Sequence, residues 1–204
     1  MFWYIDFDSD YLLTRFLSDQ ICSTLKMTKV AIFGGSGQTG LHLIAQALDK
    51  GHEVKAIVRN KEKLEKSLES DHNIINNAKL EVYEVDDIFD EAKITEPLRN
   101  VDLVISVLGF GRGSSGYSDF TSSLMRSLLS IENGCRRCIF MHSWHTEPST
   151  RSNVPFYLRW TLLKYIAIIL DNMRRAEKLL EASDDIDYTV VLPPGLRAGP
   201  ATGK

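Results

Sequence analysis

The stretch KVAIFGGSGQTG, residues 29–40, decides the fold of this chain. An apolar run ends in three glycines spaced Gly34-x-x-Gly37-x-x-Gly40, and the helical pattern LHLIAQAL follows. Strand, glycine turn and helix in this order are typical of dinucleotide binding. Gly34 allows the turn, Gly37 lets the backbone approach a pyrophosphate, and Gly40 lets the helix pack closely. The pattern predicts phosphate binding at the helix N-terminus; a purely structural turn is the alternative.

The composition is that of an ordinary globular protein of 204 residues, with 44% apolar and 25% charged residues. A net charge of -3 provides no basic field, so no nucleic-acid partner is expected. Three cysteines (Cys22, Cys135 and Cys138) favour a reducing compartment over a disulfide framework. We therefore expect a cytoplasmic protein of one domain, present as a monomer or weak oligomer.

Residues 1–26 differ from the rest of the chain. They have no basic start, and charged residues interrupt their apolar ones, at Asp6, Asp8, Asp10, Arg15 and Asp19. This pattern argues against a signal peptide or membrane anchor. We expect a poorly ordered extension before a domain that covers residues 27–204. An amphipathic helix that docks its aromatic residues on a surface is the alternative.

Beyond the glycine turn, strand and helix patterns alternate. The predicted strands cover 53–58, 80–85, 101–108, 137–141 and 188–192, and the predicted helices cover 61–70, 118–131 and 171–183. This alternation predicts a Rossmann-type α/β fold with a doubly wound parallel sheet. Ligands bind such sheets at the carboxyl ends of the strands.

The most apolar run, residues 156–170, contains Arg159 and Lys164. It is too short and too charged to cross a bilayer, so no stable membrane insertion is expected. It is predicted to form a buried helix or the partly exposed wall of a substrate pocket.

The end of the second strand favours NADP(H) over NAD(H). NAD-binding domains place an Asp or Glu about 20 residues beyond the glycines, to hold the ribose 2′-hydroxyl. This chain has Arg59 there, followed closely by Lys63, and no carboxylate ends the strand. A guanidinium can bind a 2′-phosphate bidentately. The alternative is that Arg59 and Lys63 form a solvated basic helix start.

Other candidate residues follow the later strands. Asp86 and Asp87 come after the third strand, where a carboxylate can reach an adenine amino group or cap the next turn. A second glycine-rich turn, 109–113, follows the fourth. Cys135 and Cys138 have C-x-x-C spacing but enter a strand, and no second pair exists, so neither a redox nor a metal role is expected.

These residues resemble a known family. The stretch AIFGGSGQTG, together with Val58-Arg59, Leu108-Gly109, Ser143 and Leu192-Pro193-Pro194, is similar to the atypical short-chain dehydrogenase-like NAD(P)H-binding proteins. Within them, the similarity is to the group of biliverdin-IX-beta reductases, also called NADPH flavin reductases. It runs from about residue 27 to residue 204.

The resemblance implies NADPH-dependent hydride transfer to a planar acceptor, which is a flavin or a linear tetrapyrrole. A quinone is a further small planar partner that we expect. The resemblance also implies that Ser143 lies beside the nicotinamide and substrate as the catalytic residue. The implied cofactor contacts are Gly34, Ser36, Gly37, Gln38, Thr39 and Gly40 for the phosphates, Arg59 and Lys63 for the 2′-phosphate, Asp86 and Asp87 for adenine, and Leu108, Gly109, Arg112, Pro194 and Leu196 along the cofactor.

Two departures from the family pattern bear on which acceptor this chain could reduce. Gly195 stands where the flavin reductases have a histidine, and the Tyr-x-x-x-Lys pair is absent because Trp160 precedes Lys164 by four residues. Flavin reduction needs such an acid least. His142 and His145 flank Ser143 and could supply a polar group, or are simply solvated. The family continues beyond the equivalent of residue 204, so we expect a truncated domain.

Two other functions remain open. The empty acid position at Gly195 favours a non-catalytic NADP(H)-binding module that senses redox state and acts through a protein partner. A sugar-nucleotide or isoflavone-type reductase would need a Lys or Tyr acid that the sequence does not place.

Overall fold

The computed structural model describes residues 2–3, 27–74, 77–110, 116–153, 157 and 164–193. Within these ranges the chain forms one parallel sheet with helices on both faces. The strands are β1 (Phe2–Trp3), β2 (Lys29–Phe33), β3 (Glu53–Val58), β4 (Leu80–Glu84), β5 (Leu103–Ser106), β6 (Arg137–Met141) and β7 (Asp187–Val191). The α-helices are α1 (Gln38–Asp49), α2 (Lys61–His72), α3 (Glu91–Thr95), α4 (Gly116–Ser130) and α5 (Lys164–Glu181), and a 3₁₀-helix covers Pro148–Asn153.

The strand order is β1-β7-β6-β5-β2-β3-β4, and all neighbouring strands are parallel. Counted from β2 as the first strand, the order through β7 is the 3-2-1-4-5-6 of the dinucleotide-binding fold. The predicted Rossmann-type doubly wound sheet in a single domain is confirmed. The order reverses between β2 and β5, so the ligand crevice of this fold lies at their carboxyl ends.

Strand β2 lies at the centre of the core. Val30 and Ile32 pack in the cluster formed with α1 and α2, whereas Ala31 and Phe33 pack in the cluster formed with α3, α4 and α5. All four side chains are fully buried. The ring of Phe33 meets that of Phe120 on α4 edge-on, with centroids 4.9 Å apart. A strand covered on both faces needs apolar residues at successive positions, as this one has.

Helix α4 is held at both ends by side chains from other elements. At its N-terminus, Oδ1 of the buried Asn172 on α5 accepts hydrogen bonds from the N–H groups of Tyr117 (2.8 Å) and Ser118 (3.3 Å). At its C-terminus, the guanidinium of Arg136 donates to the carbonyl oxygens of Leu128 (2.6 Å) and Ile131 (3.2 Å). These bonds satisfy backbone groups that a helix leaves unpaired at its ends.

Most predicted elements are found close to their predicted bounds. The strands predicted at 53–58 and 137–141 are confirmed residue for residue as β3 and β6. The strand predicted at 101–108 is shorter, because regular pairing ends at Ser106 and the chain then enters the turn that contains Gly109.

The apolar run at 156–170 is only partly described, since residues 154–156 and 158–163 lie outside the described ranges. Its later part belongs to α5, on which Ile168 is 65% exposed, and Tyr157 is 61% exposed. The described part of this run is therefore not fully buried. Within the described residues, no helix has the length and hydrophobicity that a membrane span requires.

The structure describes two residues of the N-terminal segment. Phe2 and Trp3 pair in parallel with Val190 and Val191 and add an edge strand to the sheet. The expectation of a poorly ordered extension over residues 1–26 stays a prediction. Residues 4–26 lie outside the described ranges.

Candidate functional site

The turns that follow β2 and β5 lie side by side where the strand order reverses. The N–H of Val107 donates to the carbonyl oxygen of Phe33 at 3.0 Å. Gly34 has a φ of +84°, and a Cβ there would lie 2.9 Å from the carbonyl oxygen of Val107. Both the backbone conformation and the neighbouring strand therefore require glycine at this position. The glycine turn after β2 therefore lies against the end of β5; of the second predicted glycine turn, residues 111–113 lie outside the described ranges.

The other two glycines of the motif have different roles. A Cβ on Gly40 would overlap the carbonyl oxygen of Gly34 and lie 2.7 Å from Cα of Gly35, so α1 packs against the turn only with glycine there. A Cβ on Gly37 would have only the Gly34 oxygen within 4 Å, at 3.5 Å. The φ of Gly37 is -84°, which any residue can adopt. Folding does not need glycine at position 37, and the space beside it lets a ligand approach the backbone.

Within the described ranges, no side chain caps the N-terminus of α1, whereas α2, α3 and α4 each have a side-chain cap. The caps of those helices are Asn60 Oδ1 on Lys63 N–H (2.7 Å) for α2, Asp90 Oδ1 on Ala92 N–H (3.0 Å) for α3, and Asn172 Oδ1 on Tyr117 N–H for α4. The cap residue of α1 is Gly37, and the first turn contains no acidic residue. Uncapped N–H groups and the partial positive charge of a helix start attract anions.

The predicted phosphate-binding side chains all lie at this uncapped start. Ser36 and Thr39 are half-buried and Gln38 is exposed. Sequence reasoning missed Gly35, whose Cβ would lie 2.9 Å from Cδ1 of Ile44. Glycine at position 35 therefore lets α1 approach the turn. The apolar face of α1, on which Ile44 lies, was the available signal.

Arg59 and Lys63 are the unpaired cations at the end of β3. Both are exposed, and among the described residues neither side chain has an ion-pair or hydrogen-bond partner. The neighbouring lysines are paired on the helix: Lys61 with Glu65 (3.8 Å) and Lys66 with Glu62 (2.6 Å). Both predicted 2′-phosphate residues are thus exposed and available to a ligand.

A carboxylate that the sequence analysis missed also lies at this edge. Glu84, the last residue of β4, accepts a hydrogen bond at Oε2 from the N–H of Lys61 at 2.8 Å. The expectation that no carboxylate ends the second strand is correct for β3 itself. It overlooked the parallel neighbour, in which Glu84 pairs in register with Val58. Only the strand order, which the sequence does not state, could have shown this.

Asp86 and Asp87 lie in the turn after β4, and both are exposed. Asp86 accepts from Nζ of Lys93 at 2.8 Å, and this hydrogen bond is the main reason why the pKa of Asp86 is lowered. Asp87 accepts from the N–H of Phe89 at 2.9 Å and so caps the turn. The structure therefore gives both carboxylates local partners, and adenine binding by either residue stays a prediction.

Of the residues predicted to lie along the cofactor, two are described. Leu108 is half-buried and packs against the core, and Gly109 is exposed, with no atom within 4 Å of the position that a Cβ would take. Gly109 therefore leaves room beside the glycine turn. Arg112, Pro194 and Leu196 lie outside the described residues.

Ser143 is the second residue after β6, at the same edge of the sheet. The backbone on either side of Ser143 is hydrogen-bonded to β7 and the segment after it. His142 N–H donates to the Val191 oxygen (2.9 Å), and Trp144 N–H donates to the Pro193 oxygen (3.3 Å). Ser143 is half-buried, and its hydroxyl has no hydrogen-bond partner among the described residues. The backbone is fixed while the hydroxyl is available. The catalytic role of Ser143 stays a prediction.

His142, the residue before Ser143, forms a buried pair with Glu177 on α5, and Arg174 extends this pair towards the surface. His142 Nδ1 is 3.1 Å from Glu177 Oε1, and the two side chains are 3% and 1% exposed. Arg174 reaches the other Glu177 oxygen at 3.5 Å and pairs with Glu147 (2.9 Å) and Glu181 (2.6 Å). The pKa of Arg174 is raised, chiefly by the hydrogen bond to Glu181. This network ties the end of β6 to α5.

A model of a protein family described as NAD(P)H-binding matches residues 34–204. The chain belongs to this NAD(P)H-binding family. Similar curated proteins include an uncharacterised chloroplastic protein of Arabidopsis thaliana, 27% identical over 189 residues (89% of this chain, 64% of that protein). Another is the oxidoreductase ptaF of Pestalotiopsis fici, 26% identical over 177 residues (83% of this chain, 66% of that protein). The chain thus spans just under two thirds of the length of each.

Solved structures show the same fold. The oxidoreductase ylbE of Lactococcus lactis has a TM-score of 0.69 at 18% identity, covering 86% of this chain and 73% of its own. The yeast methylglyoxal/isovaleraldehyde reductase Gre2, complexed with NADPH, has a TM-score of 0.61 at 15% identity, covering 85% of this chain and 59% of its own.

The residues present fit the dinucleotide of this NAD(P)H-binding family. The open space at Gly37 and the uncapped start of α1 suit a pyrophosphate, which needs close backbone approach and N–H donors. No side-chain carboxylate is hydrogen-bonded at this helix start within the described residues.

His145 and the two described cysteines, Cys135 and Cys138, are all buried. His145 is buried, contacts Thr150 Oγ1 through Nδ1 at 2.9 Å, and stacks on Trp144; burial lowers its pKa. Burial raises the pKa of both the Cys135 and the Cys138 thiols, which disfavours the reactive thiolate. The described residues contain no cluster of metal-ligating side chains.

Proposed function

We propose that this chain is an NADPH-dependent oxidoreductase that reduces a planar acceptor, a flavin or a linear tetrapyrrole. One observation carries the proposal: the only uncapped helix start among those compared lies beside the open space at Gly37, next to the unpaired Arg59 and Lys63. Anion-binding groups are thus provided for both a pyrophosphate and a 2′-phosphate.

The binding residues have separate tasks. The N–H groups at the start of α1 hold the pyrophosphate, and Ser36 and Thr39 add hydroxyl groups beside it. Arg59 and Lys63 hold the 2′-phosphate, which only NADPH carries. Leu108 and Gly109 border the path from the adenine end to the nicotinamide end of the crevice.

The acceptor class follows from the resemblance and from what the chain offers at the end of β6. The bound cofactor supplies a hydride from its nicotinamide ring. The Ser143 hydroxyl hydrogen-bonds the carboxamide or an acceptor carbonyl and so orients the reacting groups. The Tyr-x-x-x-Lys pair is absent from the sequence, which favours an acceptor that takes its proton from water, such as a flavin.

A quinone is a further planar acceptor that could take the hydride in the same way.

The protein is proposed to work in a reducing compartment such as the cytoplasm, because Cys135 and Cys138 are free thiols.

The test has two steps. NADPH and NADH are first titrated against the protein by isothermal calorimetry, and we expect NADPH to bind more tightly. NADPH oxidation is then followed with FMN, biliverdin and a soluble quinone. Turnover with one of them supports the proposed enzyme. NADPH binding without oxidation by any acceptor supports the non-catalytic redox-sensing module, and absence of binding excludes both.

A further inference from the structure

Glu84 ends the strand beside β3, where it pairs in register with Val58, the residue before Arg59. Its Oε2 accepts from Lys61 N–H at 2.8 Å, which holds the carboxylate at the N-terminus of α2. Asn60 Oδ1 occupies the Lys63 N–H in the same turn. Two N–H groups at this helix start are thus taken by protein oxygens, one of them charged.

We propose that Glu84 determines how strongly this site distinguishes a 2′-phosphate from a 2′-hydroxyl, by opposing the phosphate. This inference rests on the proposed function. The unpaired Arg59 and Lys63 attract a phosphate, whereas the Glu84 carboxylate repels it. A ribose hydroxyl is neutral and is not repelled. The preference of the protein for NADPH is therefore a balance between two cations and one fixed anion, rather than a property of Arg59 alone.

Local pairing supports this balance. The other acidic residues near this turn, Glu62 and Glu65, are paired with Lys66 and Lys61. Glu84 instead has a main-chain N–H as its recorded partner, so no neighbouring side chain neutralises it within the described residues. Among the described residues, its charge therefore has no side-chain counter-ion at the start of α2. Because Glu84 is exposed, solvent screens it, and its effect is a modest factor in affinity.

The test is Glu84→Gln, which removes the charge and keeps an oxygen that can accept from Lys61 N–H. We expect the Kd for NADPH to fall about 3- to 10-fold and the Kd for NADH to change less than about twofold. Glu81→Gln is the matched control, because it removes one exposed carboxylate from the same strand. The control should leave the ratio of the two Kd values unchanged. Circular dichroism melting verifies that each variant is folded.

Salt provides a second measurement. The gain in NADPH affinity of Glu84→Gln over the wild type should shrink as ionic strength rises, since the repulsion is electrostatic. A ratio of Kd values equal to that of the wild type overturns the proposal, and so does an equal change for both dinucleotides. If the wild type binds neither dinucleotide, the proposed function fails. If it binds NADPH and Glu84→Gln leaves the ratio unchanged, only this inference fails.

Discussion

The Nδ1 atom of His142 lies 3.1 Å from the Oε1 atom of Glu177, and both side chains are almost completely buried. Among the described residues, Glu177 is the only Asp, Glu, Lys or Arg that is buried. Burial of a carboxylate is unfavourable unless it is paired and hydrogen-bonded. Because its partner His142 precedes Ser143 in the sequence, this pair links the stability of the domain to the segment that contains the candidate catalytic residue.

Glu177→Ala should strongly destabilise the protein, because it leaves His142 and Arg174 without their shared buried partner. Breaking a buried pair typically lowers the free energy of unfolding by about 3–5 kcal/mol. Urea denaturation measures this value. The control is Glu181→Ala, which removes an exposed partner of Arg174 and should change stability by less than about 1 kcal/mol. Equal losses in the two variants would contradict the assignment.

Two glycine substitutions should separate folding from cofactor binding. Gly37→Val fills the open space, so NADPH binding should be lost while the melting temperature without cofactor changes little. Gly40→Ala should destabilise the protein itself by about 1–3 kcal/mol, because its Cβ overlaps the Gly34 oxygen. Calorimetric titration and thermal melting are measured on both variants. Normal NADPH binding by Gly37→Val would show that the motif is structural.

Arg59→Ala should remove most of the preference for NADPH. Losing a charge-assisted contact with a 2′-phosphate weakens binding by about 1.5–3 kcal/mol, which is roughly 10- to 150-fold. NADH affinity should be nearly unchanged. Lys66→Ala is the control, since this exposed lysine is already paired with Glu62. The Kd values for both dinucleotides decide the question, and the claim is wrong if the wild type binds them equally.

Ser143→Ala should lower turnover by roughly 3- to 30-fold without abolishing it, on the scale of one hydrogen bond. A general acid would contribute about 10²–10⁴-fold. NADPH affinity should change little, because the proposed phosphate contacts are made at the start of α1 and at Arg59 and do not involve Ser143. Turnover and unfolding are measured on one sample. Lost stability with unchanged turnover would give Ser143 a purely structural role.

The free energy of unfolding should fall as the pH is lowered from about 7.5 to about 5.5, an interval that extends one pH unit to each side of the ordinary histidine pKa of about 6.5. Burial lowers the pKa of His52 below 6.5, with Lys50 and Lys79 adding to the effect, and His72 and His145 are shifted in the same direction. Below about pH 6.5 the unfolded chain therefore binds protons before the folded one, and the free energy of unfolding decreases. The pH-dependent decrease in the free energy of unfolding should be smaller for His52→Gln than for the wild type over this interval. Identical losses, measured by thermal melting, would exclude His52 as a contributor.

The sequence predicts the fold well because nearly every strand and helix has its own periodic pattern of apolar residues. The strand at 29–33, the glycines and the helix after them fix both the fold class and the crevice. The two-residue strand Phe2–Trp3 was not predictable, because such a short segment has no periodicity and its pairing with β7 depends on tertiary structure.

Of the candidate site, the sequence could predict only the residues that directly follow a strand or the glycine turn. Residues that follow the strands, such as Arg59 and Ser143, were found because strand ends are visible in the sequence. Glu84 was missed because it approaches the start of α2 from a neighbouring strand. Glu177 was missed because it lies on α5, 35 residues from its partner His142. Contacts between distant segments are set by packing, which periodicity does not reveal.

The clamping of α4 at both ends has a consequence for how the domain opens. Because Asn172 and Arg136 satisfy its terminal backbone groups, α4 cannot fray turn by turn without first breaking bonds to α5 and to the segment before β6. These elements therefore belong to one cooperative unit of local unfolding. Helix α1 instead begins without a side-chain cap among the described residues, so the N–H groups of its first turn are open to a ligand. A dinucleotide bound there would stabilise the folded protein, because it binds the folded state and not the unfolded chain.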